Sequence, residues 1–102
     1  MSGPSPWVPE NDVCRLKVLG KALEEGGEYV SAVARCLIQG IAESEPTTGK
    51  PNRQWLEEEM ADVMATMQHL VREFDLDIHA MSQRVEKKYA YLRKWFDFEV
   101  EA

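Results

Sequence analysis

Apolar residues recur at three- and four-residue steps along most of this chain, a rhythm that predicts helices. From about Asp12 to Ile41, one apolar edge holds Leu16, Leu19, Leu23, Val30, Ala34, Leu37 and Ile41, and a second holds Val18, Ala22, Tyr29, Val33 and Cys36. At about 100° per residue the two edges cover roughly 200° of the helix. A helix in a small monomer seldom buries so wide an arc, so burial is expected on two sides, against its own subunit and against a partner. Gly26-Gly27 falls inside this stretch. Each Gly costs about 1 kcal/mol relative to Ala in a helix interior, and the pair fits either a kink or break into two helices, or close approach of another helix or a ligand.

Residues 42–52, AESEPTTGKPN, read as a loop, with Asn52 as a candidate N-cap for the next helix. A second helix is predicted from about Arg53 to Phe74, with Leu56, Met60, Val63, Met67, Leu70, Val71 and Phe74 on one stripe. Asp75-Leu76-Asp77 reads as a turn. Asp77 can cap a third helix that places Ile78, Met81, Val85, Leu92 and Phe96 together. The first helix can be capped by Asn11 or Asp12. Gly3, Pro4, Pro6 and Pro9 make residues 1–10 a flexible arm, from which Trp7 and Val8 can still dock on the body. No strand pattern is visible. The expected fold is all-α: one domain over residues 11–102, an antiparallel bundle of three long helices, assembled as a homodimer or homotetramer.

Size and charge sharpen this picture. A chain of 102 residues buries only part of its surface when it folds alone, and self-association is a common remedy. Its net charge of -6 disfavours DNA or RNA as a polymeric partner, yet a single nucleotide can be bridged to carboxylates by a metal ion. Cys14 and Cys36, on one helix, would lie roughly 33 Å apart at 1.5 Å per residue and cannot pair. With no apolar run of membrane-spanning length and no basic or apolar leader in Met1 to Pro9, a cytoplasmic protein is expected.

The chemically informative residues are two acidic motifs. Glu24-Glu25-Gly26-Gly27-Glu28 lies on the first helix and Glu59-Met60-Ala61-Asp62 on the second. In each, two carboxylates stand three residues apart and share a side of the helix. Acidic runs are commonly solvated faces, and Glu57 and Glu58 point away from the apolar stripe as such residues do. Glu59 falls roughly 60° from the centre of that stripe, with Asp62 further round on the same side. Packed face to face, the two helices would gather Glu25, Glu28, Glu59 and Asp62. Four such groups coexist only with protons or a cation, and all-oxygen ligation suits Mg²⁺, or else Mn²⁺. A di-iron carboxylate bundle would need Glu-x-x-His pairs, which this sequence lacks.

The pairing of EExxE with a following ExxD resembles the signature of the all-α nucleoside triphosphate pyrophosphohydrolases, the MazG-like enzymes. The flanking Lys21-Ala22-Leu23 and Trp55-Leu56-Glu57-Glu58 are similar to that family too, as is the tail with Arg84, Lys88, Leu92 and Trp95. The resemblance spans about residues 13–96. It implies cleavage between the α- and β-phosphates of an NTP or dNTP, with Glu25, Glu28, Glu59 and Asp62 holding Mg²⁺ and the ion activating water. Glu24 would then orient a ligand or act as general base. Lys21, Arg84, Lys87 and Lys88 are candidate phosphate-binding cations, and Trp55, Tyr89, Tyr91 and Trp95 are candidate base-stacking aromatics, although core packing is the commoner explanation for such aromatics in a helical bundle. A fold that keeps nucleotide binding without catalysis, or a plain helical interaction module, stands as the alternative.

Overall fold

The computed structural model describes residues 6–101, and side chains as far as residue 97. Residues 1–5 of the expected arm, and residue 102, lie outside the described residues. Three helices come in order: α1 Val13–Gln39, α2 Asn52–Phe74 and α3 Ile78–Glu101. No strand occurs among the described residues, where an isolated bridge between Ser44 and Pro51 pinches the α1–α2 loop.

Asp12 caps α1 by accepting the Arg15 backbone N–H at 3.0 Å. Gly40 ends the helix at φ 106°, a conformation that suits a residue without Cβ. Between these ends α1 is continuous, so the break offered for Gly26-Gly27 does not occur. No other helix makes a close approach there either, because a Cβ added at either glycine would meet nothing within 4 Å.

The α1–α2 loop folds on its own polar groups. Glu45 accepts the backbone N–H groups of Thr47 and Thr48 and the Thr48 hydroxyl. The Thr48 hydroxyl first, and the two backbone donors after it, hold its carboxyl down at about 2. Asn52 differs from its expected role. Pro51 occupies the cap position, and Asn52 is the first helical residue, 0% exposed. Its Nδ2 donates to the Gly40 carbonyl at 2.9 Å and to Gln39 Oε1 at 3.4 Å. Its backbone N–H donates to the Glu43 carbonyl at 2.9 Å. A single buried amide thus ties the end of α1 to the start of α2.

This clasp sets α1 and α2 antiparallel. Arg35 near the end of α1 lies over Trp55 at the start of α2, while Arg15 at the start of α1 lies over Phe74 at the end of α2. The buried residues of α1 are Val18, Glu25 and Ala32, spaced by seven, which returns to nearly the same side of a helix. The edge with Leu23, Val30 and Leu37 faces outward instead, at 80%, 64% and 84% exposure.

Asp75, at φ 50°, closes α2, and the Asp77 side chain accepts the Ala80 N–H at 2.9 Å to start α3. The expected three-helix bundle is only partly realised within one chain. Extensive helix packing joins α1 to α2, whereas α3 makes sparse contact with that pair. The radius of gyration, 18.3 Å, exceeds the roughly 13 Å of a compact chain this long. Trp7 does not dock on the body, at 95% exposure. No helix among the described residues is long and apolar enough to cross a membrane.

Candidate metal centre

Halfway along the α1–α2 hairpin the two acidic motifs meet. Glu25, Glu28, Glu59 and Asp62 each offer a carboxylate oxygen, and these oxygens all lie within 4.8 Å of one another. Glu25 is the most enclosed of the four, at 9% exposure. It occupies the heptad line of Val18 and Ala32, where an apolar side chain would ordinarily sit. Glu59 is half-buried on α2, between Leu56 and Val63, which are half-buried beside it. Glu28 and Asp62 stand at the solvent edge.

A carboxylate in such a place needs partners, because burial penalises its charge. Glu25 Oε1 has one, the Lys21 ammonium at 3.2 Å. Glu25 Oε2 and Glu59 Oε2 are buried without any hydrogen-bond partner. The Glu25 carboxylate raises Glu28 above its ordinary carboxyl value, with burial and then Glu59 adding to the effect. Orphaned acceptors and mutual repulsion are both relieved by a cation at the centre of the four. Cis and trans oxygens around an octahedral Mg²⁺, at 2.0–2.1 Å, are separated by about 3 to 4 Å. The 4.8 Å spread of the four oxygens is of the same order as that span. The donor set and its geometry fit a hard divalent ion.

The remaining candidates divide. Lys21 belongs to the site, bonded to Glu25 and, at 3.4 Å, to Glu24. Both carboxylates, Glu25 first, raise the Lys21 ammonium above its ordinary value. Glu24 accepts from Lys21 and is not among the four gathered acids. Arg84, Lys87 and Lys88 are exposed on α3, where Lys88 lies over Tyr91 at 5.4 Å. Among the described residues of one chain, nothing carries them to the carboxylates. Tyr89, Tyr91 and Trp95 share that exposed helix, and Trp95 packs edge-on against Phe96 at 4.9 Å.

Trp55 is half-buried one turn before Glu59 on α2. The Arg35 guanidinium lies 5.3 Å and the Lys50 ammonium 4.7 Å from its ring centre. Neither cation stood among the sequence candidates. Arg35 falls seven residues after Glu28, a spacing that marks a shared face. Lys50 lies in the loop, where no helical rhythm reports. Glu58, read as solvated, is bonded to Lys50 at 2.6 Å and to Gln54 at 3.2 Å. Those bonds, Lys50 first, hold its carboxyl below the ordinary value.

Comparison with protein-family models, with curated proteins and with solved structures yielded no match.

Proposed function

We propose that this protein is a Mg²⁺-dependent nucleoside triphosphate pyrophosphohydrolase that works as a homodimer or homotetramer. The observation that carries the reading is the meeting of Glu25, Glu28, Glu59 and Asp62 within 4.8 Å, with a buried, partnerless oxygen on Glu25 and another on Glu59. An acidic cluster that is mere solvation has no reason to bury two acceptors without donors. The spacing of the motifs, and their resemblance to the MazG-like enzymes, extends the reading from a cation to a triphosphate.

In this scheme Glu25, Glu28, Glu59 and Asp62 hold the ion. Bound there, Mg²⁺ supplies charge neutralisation for phosphate oxygens and a water of lowered pKa. Lys21 fixes the Glu25 carboxylate from the side and offsets part of the negative charge. Glu24, through Lys21, helps to position that ammonium. Leu56, Val63 and Thr66 are half-buried on α2, the helix that carries Glu59 and Asp62, and neighbours of that kind reduce the solvent around a carboxylate.

The test is release of pyrophosphate from a panel of NTPs and dNTPs with Mg²⁺ or Mn²⁺. Turnover on at least one triphosphate, abolished by excess EDTA, is the expected result. Nucleotide-dependent thermal stabilisation without any pyrophosphate would leave a binding module, and neither effect would leave a plain helical interaction protein.

Self-association rests on surface the single chain leaves open. Leu23, Leu37 and Ile38 are each at least 80% exposed. A groove of about 620 Å³ between α2 and α3 is lined by Met64, Met67, Val71, Ile78, Met81 and Val85. Contiguous apolar surface of this kind marks an interface, and a second copy supplies apolar helix faces to match. Light scattering is expected to give two or four times the mass of 11.7 kDa. A monomer at micromolar concentration would exclude the assembly.

A further inference from the structure

We infer that Arg35, held on the Trp55 ring beside Lys50, receives the terminal phosphates of the triphosphate, so that the substrate lies along the hairpin with its phosphate tail toward the α1–α2 loop. The inference rests on the hydrolase reading and adds a direction to it.

Position is the first argument. Arg35 comes seven residues after Glu28, so it stands on the same face and about 10 Å along the axis toward the loop. Trp55 precedes Glu59 by four residues, about 6 Å in the same direction. The guanidinium, 5.3 Å from the Trp55 ring centre, therefore lies one to two turns from the carboxylates, a gap that a triphosphate anchored on the metal can span.

Charge is the second. Lys21, on the other side of the acids, is already engaged by Glu24 and Glu25. Lys50 is engaged by Glu58 at 2.6 Å. Arg35 is half-buried, yet among the described residues no carboxylate pairs with it and no side-chain acceptor takes its protons. With its carbon 5.3 Å from the Trp55 ring centre, the guanidinium has N–H groups that no side chain among the described residues claims, and a planar guanidinium pairs with two phosphate oxygens at once. Lys50, 4.7 Å from the same ring, offsets the charge of Glu58, which leaves Arg35, among the described residues, as the cation at this end with no carboxylate of its own.

The experiment is calorimetric titration of inorganic triphosphate with Mg²⁺ into the wild-type protein, Arg35→Gln and Arg35→Lys, with a nucleoside monophosphate titrated in parallel. Arg35→Gln is expected to weaken triphosphate binding on the order of tenfold or more, the scale of a lost charge-assisted pair. Arg35→Lys recovers part of that loss, and monophosphate binding is unaltered in both. Helix content by circular dichroism stays that of the wild type. Undiminished triphosphate binding by Arg35→Gln overturns the inference and leaves the hydrolase reading standing, as does an equal loss for the monophosphate. A wild-type protein that binds no triphosphate and releases no pyrophosphate overturns both.

Discussion

Glu59→Gln is expected to cut Mg²⁺-dependent pyrophosphate release on the order of 100- to 1,000-fold, the scale at which one electrostatic stabiliser of a transition state acts. Glutamine keeps the shape of the side chain but removes its charge. It also turns an amide toward Glu25, Glu28 and Asp62, whose carboxylate oxygens lie within 4.8 Å. The same change removes one of the charges that, after Glu25 and burial, raise the Glu28 carboxyl when no cation is bound. The variant should therefore melt no lower than the wild type in EDTA, while the rise in melting temperature on adding Mg²⁺ and nucleotide disappears. A structural lesion would lower both melting points, so the two measurements together separate a lost ligand from a damaged fold. Wild-type turnover by Glu59→Gln would remove the basis of the enzymatic reading.

Asn52→Asp is expected to destabilise the protein by about 2 kcal/mol, the cost of leaving a buried polar group without its partner. The replacement is nearly isosteric, yet it puts a carboxylate oxygen where Nδ2 donates to the Gly40 carbonyl. Asn52 is 0% exposed, so water cannot take over the lost bond. For a chain of this length the loss corresponds to roughly 10 °C in melting temperature. Chemical denaturation at matched protein concentration checks the free energy, because self-association would otherwise enter the comparison. A melting temperature unchanged from wild type would mean that the clasp between α1 and α2 contributes nothing.

The helices were legible because their apolar spacing and caps are local. Asp12 and Asp77 sit where a side-chain oxygen meets the first free N–H groups, and both do so here. The meeting of the four acids was also legible, since three-residue spacing on two helices constrains them once the helices pack. The depth of Glu25 was less so. Its place on a polar arc with Glu24 and Glu28 hides that Val18 and Ala32 lie seven residues to either side of it. Small residues, Ala22 and Ala32, mark the inner face, and the larger Leu23, Val30 and Leu37 the outer one. Hydrophobicity alone ranks those the other way. Asn52 and Lys50 were misread or missed because their partners, Gly40, Trp55 and Glu58, are brought to them by the loop's path, which carries no periodic signal. The sparse contact of α3 with the hairpin has the same origin: its apolar face is plain in the sequence, but the surface that would cover it is not.

Gly26 and Gly27 separate two of the clustered acids on α1, and nothing stands within 4 Å of where their Cβ atoms would be. Alanine in both places would strengthen the helix by roughly 2 kcal/mol in all. The two glycines therefore leave α1 easier to unwind at the turn between Glu25 and Glu28, and the carboxylates are mounted where the rod itself is weakest.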